Sequence, residues 1–132
     1  MRLRLKERKS AHHRGHGTVG VHIEPTRAGG LVYETLSAIF GLAPAPPGAG
    51  RILSDGGPVV STLSFDVRRR RPLNEPVLLP EAVPALVYGR PKDIQRLVLG
   101  LQEHFTVEDK TLRGLGHGEQ EHELRIGPKQ GV

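Results

Sequence analysis

The chain has 132 residues and a formal net charge of +5, enough for one ordinary domain with a single core and no need of disulfide staples. It has no cysteine, which excludes a disulfide framework, a thiolate metal site and a cysteine nucleophile together. Only 36% of residues are hydrophobic, with three Phe, two Tyr and no Trp, so the core must be a lean one of Leu, Val, Ile and Ala.

The charge is unevenly placed. Arg2, Arg4, Lys6, Arg8, Lys9 and Arg14 face only Glu7 within residues 1–16, while the remaining 116 residues carry thirteen basic and thirteen acidic side chains. The whole surplus therefore sits on a leader, the pattern of a basic arm that meets an anionic partner. No apolar stretch of the roughly 7 to 15 residues a secretory signal needs follows Lys9, and no run approaches the ~18 apolar residues of a membrane span. The expectation is a protein without a secretion signal or membrane span, placed in a virion or the cytoplasm.

In chain order, Met1, Leu3 and Leu5 alternate with Arg2, Arg4 and Lys6. That period of two predicts a short strand with one apolar and one basic face, fit to add to a sheet edge of its own or a neighbouring chain. "SAHHRGHG" at 10–17 reads as a linker. Residues 18–24 alternate again, with Val19, Val21 and Ile23 on one face, and predict the first body strand. After Pro25 and Thr26, the spacing of Leu31, Val32, Leu36, Ile39 and Phe40 predicts a helix over 27–40 that stops at Gly41. "APAPPGAG" at 43–50 predicts a loop, because its prolines lack backbone donors and its glycines loosen the chain.

Arg51 to Leu53 predicts a short strand ahead of the "SDGG" turn. Pro58 to Arg69 carries the clearest strand pattern, with Val59, Ser61, Leu63, Phe65 and Val67 on one face. The "RRRRPLNEP" stretch breaks it. Val77–Leu79 and Ala85–Tyr88 predict strand pieces, and Pro80 and Pro84 place them on an edge or at a bulge. Pro91 opens a second helix, whose stripe is Ile94, Leu97, Val98, Leu101 and Phe105. Gly100 within it predicts close packing, since glycine in a helix costs about 1 kcal/mol relative to alanine. Residues 106–118 read as polar connection, and His122, Leu124 and Ile126 predict a last strand.

The resulting expectation is an α+β fold, a small β-α-β-β-α-β ferredoxin-like sandwich with both helices on one sheet face and an extended basic arm. The domain boundaries are 1–17 for the arm, 18–127 for the body and 128–132 for a tail.

Few residues suggest chemistry. "HGEQEHE" gathers His117, Glu119, Glu121, His122 and Glu123, while His12, His13, His16, His22 and Glu24 lie near the start. Imidazole and carboxylate are suitable ligands for borderline cations, but the HExxH spacing is missing and the acidic stretch reads as a solvated loop and strand. No GxSxG elbow appears, and "RAGG" and "SDGG" lack the lysine and spacing of phosphate loops. No catalytic residue, metal or cofactor is expected.

The leading expectation is a non-enzymatic structural component of a large repeating assembly, for example a virion head or tail part. Met1, Leu3 and Leu5 would dock on another subunit, with no membrane or small-molecule substrate as partner. Arg2, Arg4, Lys6, Arg8, Lys9 and Arg14, with Arg68, Arg69, Arg70 and Arg71, would meet an anionic partner, acidic protein or nucleic acid. The alternative is an RNA- or DNA-binding module of the ribosome- or nucleoid-associated kind, using the same two basic clusters.

Overall fold

The computed structural model describes residues 17–43 and 62–129. The predicted arm strand, the loop from 44 onward, the strand at 51–53, the first part of the 58–69 strand and the last three tail residues lie outside this range. The described elements are β1 (Thr18–His22), α1 (Arg27–Ile39), β2 (Leu42–Ala43), β3 (Leu63–Asp66), β4 (Val83–Gly89), α2 (Pro91–Gln102), β5 (Phe105–Gly116) and β6 (Glu119–Pro128). The strands form one sheet in the order β2-β3-β1-β4-β6-β5.

The α+β class is as expected, but the ferredoxin-like topology is not. The expected pattern has four strands; the sheet here has six, in a different order, with β2 and β5 at its two edges and every ladder antiparallel. The sixth strand is β5: Phe105, expected in the stripe of the second helix, and residues 106–116, expected to be part of a polar connection, instead form a long hairpin with β6.

Register explains the core. Val19 pairs with Phe65, Val21 with Val87, Ala85 with Leu124 and Val83 with Ile126, so all eight side chains share one sheet face. They belong to one buried cluster with Val32, Leu36 and Ile39 of α1 and Ile94, Leu97 and Leu101 of α2. Both helices therefore cover the same face. All three Phe, at 40, 65 and 105, lie in that cluster.

The helices begin and end where local chemistry directs. Thr26 caps α1 by accepting a hydrogen bond from Gly29 N at 3.0 Å, satisfying one of the donors that a helix start leaves open. Gly41, with φ +84°, follows the last turn and donates to Ser37 O, the glycine stop the sequence suggested. Pro91 is the first residue of α2. Gly100 faces Phe40 so closely that a β-carbon there would stand 2.5 Å from the ring.

Prolines account for two departures. β4 lies inside the sheet rather than on its edge, but its ladder to β1 stops at His22–Leu86. Among the described residues, Pro84 thus has a strand neighbour on one side only, opposite Arg125, and its missing N–H is tolerated. Val77–Leu79 is not a strand. Pro72, Pro76 and Pro80 recur every four residues there, too often for a hydrogen-bonded ladder, and the segment crosses the helix layer as an irregular strap.

Candidate docking site

The arm residues Met1 to Lys9 and Arg14 lie outside the described range. The other predicted cluster does not present four equivalent cations. Val67 N donates to Gly17 O at 2.7 Å, after which the chain leaves the sheet. Arg68 grips Asp66 with two side-chain hydrogen bonds, Nε to Oδ1 at 3.0 Å and Nη2 to Oδ2 at 2.7 Å. That fork-like contact holds the Asp66 carboxyl down at about 2, with Arg69 adding a smaller favourable field. Arg70 pairs with Glu103 at 3.2 Å. Arg71 donates its backbone N–H to Ile39 O at 2.8 Å, tying the strap to the end of α1. Of the four guanidiniums in this cluster, those of Arg69 and Arg71 have no carboxylate partner among the described residues.

The histidine–acid stretch also differs from expectation. His117 is exposed at the hairpin tip, in the left-handed region with φ 55°, but Glu119, Glu121 and His122 are buried rather than solvated. The long β5 strand, which the sequence did not reveal, supplies side-chain partners to Glu121 and His122. Arg113 Nε donates to Glu121 Oε1 at 2.7 Å. His122 Nδ1 donates to Asp109 Oδ1 at 2.8 Å, and Nε2 meets the Gln120 side-chain amide at 2.8 Å. Thr111 Oγ1 stands farther off, 3.4 Å from Nε2. The hydroxyl–imidazole–carboxylate sequence has the members of a nucleophile relay, but the near position on Nε2 belongs to Gln120 of the same strand, and the Asp109 contact ties β6 to β5. Among the described residues no three His, Asp or Glu side chains converge in a metal-holding group.

The feature that sequence reading missed is a groove. The strap leaves α1 beside a hollow of about 540 Å³, walled on one side by Leu31, Glu34 and Ala38 of α1 and on the other by Leu73, Glu75 and Val77. Each wall carries one carboxylate, and among the described residues no cationic side chain lines it. Leu73 and Val77 are half-buried against the core, which fixes the strap, whereas Leu78 is 83% exposed. Leu78 also borders a second hollow of about 210 Å³ beside Glu103, His104 and Pro128. Glu34 on the outer side of a predicted helix and the repeated prolines were the only visible signals. Nothing in the sequence places residues 31–38 beside 73–78.

The sheet offers a different surface at β5. Its twelve residues pair only with β6 among the described strands. Register shifts at Thr111/Arg113 and Gly114/Gly116 interrupt it, and Glu108, Asp109 and Lys110 crowd its regular part. Bulges and charges of this kind discourage strand addition. No described helix is long and apolar enough to cross a membrane.

No family model, curated protein or solved structure matches the chain.

Proposed function

We propose that the protein is a non-enzymatic structural component of a large multi-subunit assembly, with a virion head or tail part as the leading example, and that its basic N-terminal arm docks on a neighbouring subunit. The carrying observation is the partition of charge. Residues 1–16 hold the whole surplus of +5, and the rest of the chain is balanced. The junction is anchored: Gly17 N donates to the buried Asp93 Oδ2 at 2.9 Å. A mobile body gains little from such an arm unless its cations and its Met1, Leu3 and Leu5 side chains find a partner surface. On this reading the protein works in the virion or the cytoplasm, and its partners are other protein subunits rather than small molecules.

The second reading is an RNA- or DNA-binding module. The six arm cations favour it, while the ion pairs of Arg68 and Arg70 reduce what the second cluster contributes. Six phosphate contacts would give a slope of about −5 in log affinity against log salt, so the two readings separate by salt.

The test is the mass and nucleic-acid content of the untagged protein at low and high salt, with residues 1–16 present or deleted. Salt-resistant multimers that disappear with the arm are the expected result. A monomer that carries nucleic acid at low salt only, and only with the arm, overturns it in favour of the second reading.

A further inference from the structure

We infer that the groove between α1 and the 73–78 strap receives residues 1–9 of a second copy of this chain, which gives the arm a defined seat. The inference rests on the assembly reading above and adds the address of the docking site.

Charge complementarity is the first argument. Glu34 and Glu75 stand on opposite walls with no cation from the described residues between them, and the proposed occupant carries Arg2, Arg4, Lys6, Arg8 and Lys9 against Glu7 alone. An extended chain sends alternate side chains to opposite faces. With Met1, Leu3 and Leu5 turned into the groove against Leu31, Leu73 and Val77, the basic side chains lie along its rims, within reach of the two carboxylates.

Size is the second. Met1 to Leu5 extended spans about 13 Å, and Leu31 to Ala38 along α1 spans about 10 Å. A hollow of about 540 Å³ falls within the range of roughly 300–1,000 Å³ that encloses ligand-sized groups. The exposed Leu78 at its margin is the kind of unmatched apolar side chain that a partner covers.

The outer edge of β5, which no described strand pairs with, is the competing seat. It offers backbone partners, but its bulges and its Glu108, Asp109 and Lys110 run give no continuous apolar face for Met1, Leu3 and Leu5. From Leu5 to Gly17 the chain can stretch about 40 Å, so its reach does not by itself require a second copy; assembly does.

The absence of cysteine makes the test direct. A tagged Leu3→Cys chain is mixed with an untagged Leu78→Cys chain under mild oxidation. The same Leu3→Cys chain is mixed in parallel with Leu112→Cys, placed on exposed β5, and a Leu3→Cys/Leu78→Cys double variant is oxidised alone. Leu78 and Leu112 are both exposed, so neither substitution empties the core. The expected result is a tagged–untagged heterodimer with Leu78→Cys in clear excess over Leu112→Cys. Adding Glu34→Lys and Glu75→Lys to the Leu78→Cys chain should lower that yield about tenfold, because like charges then face the arm.

Preferential linkage to Leu112→Cys overturns the groove and moves the seat to the sheet edge, while the assembly reading stands. A link formed only within single chains of the double variant overturns the second-copy claim. No linkage from a full-length chain that is monomeric at every salt concentration overturns both.

Discussion

At the scale of residues, the contact with most consequence for titration is the Asp66–Arg68 pair. Arg68 Nε and Nη2 take both Asp66 oxygens, and Arg68 N donates to Oδ1 as well. These bonds favour the charged carboxylate and bring its pKa from 3.8 down to about 2. A depressed carboxyl contributes stability that is complete above its ordinary range and fades as pH falls from about 4 through 2. The pair is largely exposed, so solvent and salt keep the contribution small. Replacing Arg68 by Ala is expected to return the Asp66 titration toward 3.8, read from carboxyl carbon shifts in an NMR pH series. An unchanged midpoint near 2 would show that Arg68 is not the cause. The pairing was not legible in "SFDVRRRR". A run of arginines has the same look whether its charges are free or bound, and only the turn after Val67 brings Arg68 back onto Asp66.

At the scale of elements, α1 contains adjacent glycines with opposite constraints. A β-carbon on Gly29 would stand 2.5 Å from Glu24 O and 2.8 Å from an Ile23 methyl, whereas one on Gly30 meets nothing within 4 Å. Gly30→Ala should therefore stabilise the protein by up to about 1 kcal/mol through helix propensity. Gly29→Ala should destabilise it by roughly 1–3 kcal/mol, because the helix start must move away from backbone. Urea unfolding of the two variants checks this, and equal effects would contradict the close approach of α1 to the 23–24 segment. Such facts lie beyond "RAGG" in the sequence, although both helices were legible from their 3.6-residue stripes. β1 and β6 were legible in part because one of their faces is buried and apolar. β5 was not, because most of its residues are exposed on both faces and leave no alternation to read. The strap was mistaken for a strand because Val77, Leu78 and Leu79 have strand-like composition. The decisive fact, that Arg71 N bonds to Ile39 O, joins residues 32 positions apart. The groove has the same origin: its two walls are individually ordinary stretches that only the tertiary fold brings together.

At the scale of the whole molecule, the question is whether the arm belongs to the fold or to the assembly. The buried cluster runs from Val19 to Ile126 and contains both helices and the central strands, so the folding energy of the described body has its apolar source there. A chain beginning at Gly17 keeps that cluster. Its new terminal ammonium would stand beside the Asp93 carboxylate, in place of the amide that now donates at 2.9 Å, and would keep the favourable contact. Deleting residues 1–16 is therefore expected to leave the unfolding midpoint of the dilute protein within about 3 °C, less than a loss of 1 kcal/mol would produce in a domain of this size. The difference should emerge with concentration. Association that stabilises only the folded state raises the midpoint as protein concentration rises. Calorimetry over a hundredfold concentration range should thus show a rising midpoint for the full chain and a flat one for the truncated chain. A midpoint already depressed by 10 °C or more in dilute truncated protein would make the arm part of the fold. Equal concentration dependence in both chains would place the self-association elsewhere on the body, because the apolar anchors and all of the net charge of +5 are removed with the arm.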